Sequence, residues 1–313
     1  MKSHTLLLAA ALLAAVPTMT QAKIERLVEK TFPVTPGGTL QVETQGGDIT
    51  VRPGADDRVR VVARQLIRAK SEAEADALLQ KLELRLEQEG NDIVSTAKYA
   101  GKQRFIISGF WPPVQVSFEV TVPVRFHVEL ETSGGDITVG DLTGEVKART
   151  SGGDVEIGRI DGPVQVTTSG GDIGLRAATG PAVLNTSGGD IEVGRAGGMA
   201  KLTTSGGDIE IDDAAGGLQA KTSGGDIEVA FTNALTEDCT LGSSGGDIEV
   251  KVPRTAGFQL DAATSGGDVK AAGLTLTIEQ GGLGKSKLAG TVNAGGPKLK
   301  LRTSGGDIVI RPE

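Results

Sequence analysis

Ten Gly-Gly-Asp triplets place carboxylates at Asp48, Asp136, Asp154, Asp172, Asp190, Asp208, Asp226, Asp247, Asp268 and Asp307. Carboxylates recurring at a fixed interval could bind Ca²⁺, which collects hard oxygen ligands from several residues. The eight from Asp136 to Asp268 form the candidate calcium ladder. Stacked about 5 Å apart, they would repel by roughly 1 kcal/mol per pair in water. A cation or a hydrogen-bond donor must offset this. Calcium-binding nonapeptides place Asp four residues after a Gly pair and supply two ligand turns per coil. Here Asp follows Gly-Gly directly and only one turn per coil is acidic. The expectation is therefore that each Asp accepts amide hydrogen bonds within its own turn, with calcium as the alternative.

A second acidic row lies two residues after the first: Glu156, Glu192, Glu210, Glu228 and Glu249, interrupted by Thr138, Gly174 and Lys270. It reads as a solvated face that discourages lateral aggregation, or as a contact surface for a cationic ligand. The stretch Phe105–Trp111 holds Phe110 and Trp111, which could stack on sugars or simply pack as apolar cap. Catalysis has little to work with. His127 is the one histidine after residue 22, so histidine metal clusters are excluded and nothing beside it completes a nucleophilic triad. Carboxylate-only chemistry on polysaccharides stays open, yet turns of about five residues build no wall for a cleft. No cofactor is expected other than the calcium alternative.

The elements that position these groups follow from the period. From Asp136 the intervals are 18 five times, 21 twice, then 39, the length of two coils. A fixed period is the mark of a stacked repeat, and one coil, around Ala289, is expected to keep its length without its motif. Apolar residues alternate on both sides of the corner, as in Val146/Ala148 before it and Val155/Ile157 after it, which is strand periodicity. Each coil thus carries two short strands with apolar faces turned together. Thr132, Thr150, Thr168 and their counterparts share the core parity, so they are corner hydrogen-bonding groups rather than an outward ice-binding array. Cys239 also falls on a core position, as a small hydrophobe. Glycines close both turns, where positive φ is expected.

Residues 38–51 fit the coil template, and about 75 residues then separate them from the main array at 127–313. That insertion holds a Ser71/Glu74 capping box for a short helix, alternating stretches such as Arg58–Ile67 and Val114–Val122, and most of the aromatics. The segment 23–126 is read as a strand-helix-strand cap over an open solenoid end. Residues 1–22, with Lys2, an apolar run from Leu6 to Val16 and a closing Ala22, are expected to be a cleaved secretory signal. No Cys follows to carry a lipid anchor, and no later apolar stretch would span a bilayer. Loss of Lys2 leaves 31 basic residues against 40 acidic, a net charge of −9. That balance disfavours nucleic acid and anionic lipid.

The repeated T-S-G-G-D-[IV]-x-[VI], the strand Phe118–Pro123 leading into the array and the closing Gly295–Ile308 resemble the bacterial DUF4097 family of adhesin-like β-strand repeat proteins. The resemblance covers most of the chain after residue 22 and implies no catalytic residues. The expected protein is an all-β, single-stranded solenoid of about ten 18–21-residue coils with an N-terminal α+β cap. It would be exported to the periplasm, the cell surface or the medium. There it would offer flat faces to a protein or glycan of the cell envelope, without enzymatic activity.

Overall fold

A computed structural model describes residues 23–100, 113–278 and 285–312. The chain forms two sheets, each of 14 strands, facing one another across an apolar core. Each layer contributes an upstream strand before its Asp corner and a downstream strand after it. The Asp154 layer, for example, is Val146–Arg149 followed by Val155–Asp161. Upstream strands pair only into one sheet and downstream strands only into the other, in parallel and in step with the repeat: Val146 stands beside Val164, and Val155 beside Ile173. β-branched side chains suit this pleated, one-sided burial. Ile191, Leu202, Ile209 and Leu218 are essentially inaccessible, while Glu192 and Lys201 between them face outward.

The stack begins earlier than residue 127. The strands Thr39–Thr44 and Ile49–Gly54 lie directly beside the Asp136 layer, Leu40 next to Val128 and Ile49 next to Ile137. A further layer without the motif, Asp92–Tyr99 and Val114–Pro123, covers them, again in parallel. Antiparallel strands then end both sheets: Arg58–Arg68 and Lys23–Pro33 on the downstream side, Leu82–Glu89 on the upstream side. The helix Glu72–Leu79 is capped by Ser71, whose hydroxyl accepts from the Glu74 amide. The outermost strand, Lys23–Pro33, leaves Leu27 and Val28 exposed among charged neighbours.

At the other end the chain departs from sequential stacking. The last layer, Lys298–Arg302 and Ile308–Pro312, does not lie outside the Asp268 layer but between it and the Asp247 layer. The expected motif-free coil around Ala289 is thereby corrected. Lys287–Val292 runs antiparallel to Phe258–Ala263 and closes the upstream sheet together with Leu276–Thr277. It occupies the outer edge of Phe258–Ala263, so the residues that follow can reach only the inner edge.

Candidate functional site

The corner converts the Thr-Ser-Gly-Gly-Asp sequence into a continuous hydrogen-bonded seam. In the Asp208 layer the buried Thr204 hydroxyl donates to the Gly189 carbonyl of the preceding layer at 2.8 Å and accepts from its own Gly207 amide at 3.3 Å. Ser243 does the same toward Gly225 and from Gly246. Replacing Thr204 with Val should strand one buried carbonyl and one amide, at about 1–3 kcal/mol each. Thr204→Ser should stay close to wild type, because serine already holds this place in the Asp247 layer. Denaturant unfolding of the two variants checks both.

Each aspartate before the terminal Asp268 is bound by the next layer, not by its own turn as expected. Asp190 Oδ1 accepts the Asp208 amide and Asp208 Oδ1 the Asp226 amide, both at 2.7 Å. The series runs from Asp48 to Asp247, passes to Asp307 and ends at Asp268. Ser117 stands in for the aspartate above Asp48. The reason is geometric: the carboxylate leaves its turn along the stacking direction, and the nearest free amide belongs to the adjacent corner. One amide per carboxylate offsets the repulsion along the row. At Asp307 the Asp268 amide, and then Lys270, hold the carboxyl below its usual range. Such a group stabilises the fold near neutrality, and the stabilisation is lost as pH falls through the lowered value.

The glycine requirement is also corrected. Positive φ occurs in the opposite turn, at Gly144 and Gly162, but among the corner glycines only at Gly46. The second corner glycine is needed for close approach, since a Cβ on Gly189 would lie 2.1 Å from the Gly171 carbonyl oxygen.

Calcium could use only what the seam leaves over. Among the described residues no three His, Cys, Asp or Glu side chains converge on a point that could hold a metal ion. If the amide bond is the whole role of the aspartate, Asp208→Asn keeps the acceptor and should melt with wild type, while Asp208→Ala should melt about 2–4 °C lower. EDTA should move neither. A fall in the wild-type midpoint on adding EDTA would return the ladder to calcium.

The five glutamates stand outward on the downstream sheet, as five of the layers place them. Glu228 is paired with Lys251 and Glu249 with Arg311. Gly174 leaves a notch between Glu156 and Glu192, with a volume of about 430 Å³, that Arg176 and Glu210 also line. Burial in the notch, then Glu192 and Asp154, push the Glu156 carboxyl above its ordinary range. Phe110 and Trp111 lie outside the described residues. His127 Nδ1 accepts the Glu145 amide at 3.0 Å, a turn contact. Cys239 is buried and its thiol is pushed up to about 11 by desolvation, so it remains protonated at neutral pH.

Residue-by-residue reading missed the division of charge between the sheets. From Val146–Arg149 to Lys298–Arg302, seven consecutive upstream strands contain no Asp or Glu, and Lys147, Arg149, Lys201, Lys221, Lys300 and Arg302 point outward. The downstream strands of the same layers carry all five glutamates, interleaved with Arg159, Arg176, Arg195, Lys251 and Arg311. The signal was present in the sequence as the outward parity of Lys or Arg before four of the seven corners and Glu after five of them.

These features define a two-sheet β-solenoid whose layers are sewn together at one corner. Residues 179–311 match the family model Toastrack DUF4097, so the resemblance carried by the motif holds over that stretch. Among solved structures, a candidate adhesin from Bacteroides fragilis is 13% identical, covering 92% of this chain and 97% of its own, with a TM-score of 0.41. A candidate adhesin from Parabacteroides merdae is 10% identical, with coverages of 90% and 96% and a TM-score of 0.43. A candidate lipid-binding protein from Parabacteroides distasonis is 14% identical, with 92% and 96% covered and a TM-score of 0.37. No curated protein sequence matches the chain.

Proposed function

We propose that the chain is a non-enzymatic, exported contact protein of the cell envelope, which offers the flat outer faces of its two sheets to a protein or glycan. The observation that carries this reading is the use of the repeat itself. The Thr and Asp of the motif spend their hydrogen bonds on holding layers together, so what the repeat leaves free is a pair of long, regular faces, one basic over seven acid-free strands and the other of mixed charge. Among the described residues no helix is long and apolar enough to cross a membrane. Export is inferred from the apolar run Leu6–Val16 and the closing Ala22.

The test is retention of purified chain 23–313 on intact bacterial cells, before and after stripping of surface protein or surface glycan. Retention lost on one treatment identifies the partner class. No retention on any untreated cells overturns the reading.

One observation favours a second reading, a carboxylate-only enzyme acting on polysaccharides. Glu156 and Glu192 flank the notch two strand steps apart, about 10 Å, near the span of an inverting carboxylate pair. The raised Glu156 would be the acid and Glu192 the base. Release of reducing ends from acidic polysaccharides, lost in Glu156→Gln, would establish it. Products absent from every polymer tried, or unchanged in the variant, would remove it.

A further inference from the structure

We propose that the upstream face between the Asp154 and Asp307 layers is a docking surface for an acidic glycan, centred on Lys201 and Lys221 and on the groove that Gly242 opens beside Lys221. This rests on the contact reading above and names the face and the chemistry of the partner.

Net charge argues against anionic partners, but net charge is a sum over the whole surface. A ligand meets one face, and the field near that face is set by the charges within about 10 Å. The acid-free run of upstream strands is such a face. Lys201 and Lys221 are exposed and form no ion pair among the described residues, whereas Arg302 is held by Asp261 at 2.7 Å. In register, Lys201 lies beside Gln219, and Lys221 beside Gly242, which in turn lies beside Arg302. Along one outward row three strands therefore present Lys221, the gap at Gly242 and the Asp261-bound Arg302, with Lys201 one strand before Lys221 and two residues away along it.

The gap is not required by the fold. A Cβ on Gly242 would meet nothing nearer than the Arg302 carbonyl oxygen at 3.9 Å, unlike the second corner glycines, whose Cβ would strike backbone. Glycine is a poor strand residue without such a constraint. Here it leaves a groove of about 550 Å³, bordered also by Thr203 and Thr240.

The composition of the groove selects among polyanions. The acid-free upstream strands hold no aromatic side chain on which a base or the apolar face of a neutral sugar could stack. They offer ammonium groups, hydroxyls and the Gln219 amide, which suit a chain rich in hydroxyls with carboxylate or sulfate at intervals. Two ammonium groups roughly 8 Å apart, one strand and two residues removed, can engage neighbouring acidic residues of one extended polymer. The opposite face interleaves its glutamates with Arg159, Arg176, Arg195, Lys251 and Arg311, so it offers the same polymer no acid-free cationic row.

The experiment is affinity electrophoresis and titration of chain 23–313 with polygalacturonate, dextran sulfate and unmodified dextran. Binding to one or both acidic polymers but not to dextran is expected, falling about tenfold or more between low salt and about 0.3 M salt. The pair of polymers separates carboxylate from sulfate recognition. Lys201→Glu with Lys221→Glu should weaken binding at least about tenfold, as should Gly242→Glu, which adds an acid where the backbone leaves room. Glu228→Lys with Glu249→Lys on the other face, outside the notch, should not weaken it. Thermal midpoints of all variants should stay near wild type, so that loss of binding is not loss of fold. The proposal falls if wild type ignores both acidic polymers, or if the groove variants bind as well as wild type. It also falls if the chain instead self-associates at low salt and reversal of either face abolishes that, which would make a second copy the occupant. Cell retention surviving any of these failures would leave the contact reading standing.

Discussion

Gly189→Ala should unfold a large part of the array, and Gly188→Ala one residue earlier should be nearly silent. The added methyl at Gly189 lies 2.1 Å from the Gly171 carbonyl oxygen and 2.5 Å from Asp172 Oδ1. Both are held in place by the layer that carries the substitution: Thr186 bonds the carbonyl and the Asp190 amide bonds the carboxylate. Relief requires prising the corner open, which costs the overpacking itself and the seam bonds, about 3–5 kcal/mol together. The Cβ on Gly188 meets Gly170 oxygen at an ordinary 3.4 Å. A surface alanine of this kind is expected within about 0.5 kcal/mol of wild type. Equilibrium denaturation of the two variants measures the contrast directly, and equal midpoints would sink the close-approach account of the motif.

Truncation after Gly295 should be far more damaging than the loss of a terminal coil. The removed residues include Leu299, Leu301, Ile308 and Ile310, each fully buried. At about 1.5–3 kcal/mol per side chain, their burial is worth roughly 6–12 kcal/mol. In a stack built in chain order, deletion of the last layer would shorten the rod and leave every other contact in place. Here the deleted layer lies between two others, so Phe258–Ala263 and Val269–Ala271 lose their inner neighbour while the Asp247 layer loses its cover. The expected result is rapid proteolysis within 253–295, with the layers before it surviving. Continued protection of that segment would mean that the layers do not interleave.

Most of the layer geometry could be read before any coordinates. Alternation around Asp154 assigned Val155 and Ile157 inward and Glu156 outward, and the period of 18 is the register itself, Glu192 beside Glu210. The core parity of Thr204 placed its hydroxyl at the corner. What alternation cannot specify is which layer lies next to which, because every corner presents the same groups to either neighbour. A spacing of 39 residues fits two coils in order as well as one coil and an antiparallel return. Lys287–Val292 decides between them, and it does so through pairing rather than pattern. The direction of each aspartate was hidden for a related reason. Its own turn and the adjacent corner offer the same kind of amide, and only the exit angle of the side chain selects one. The charged faces were legible in parity but lost in the total of −9.

The free rim of Lys23–Pro33 has a consequence for pairs of molecules. Two such rims could join only about a two-fold axis normal to the sheet, which sets residues of equal parity opposite one another. Centred on Leu27, that symmetry brings Glu25 against Glu29; centred on Val28, Arg26 against Lys30. Centred on Arg26 or on Glu29, it sets that side chain against its own image. Every central alignment thus meets like charge, which disfavours the longer ribbon that Leu27 and Val28 could otherwise nucleate.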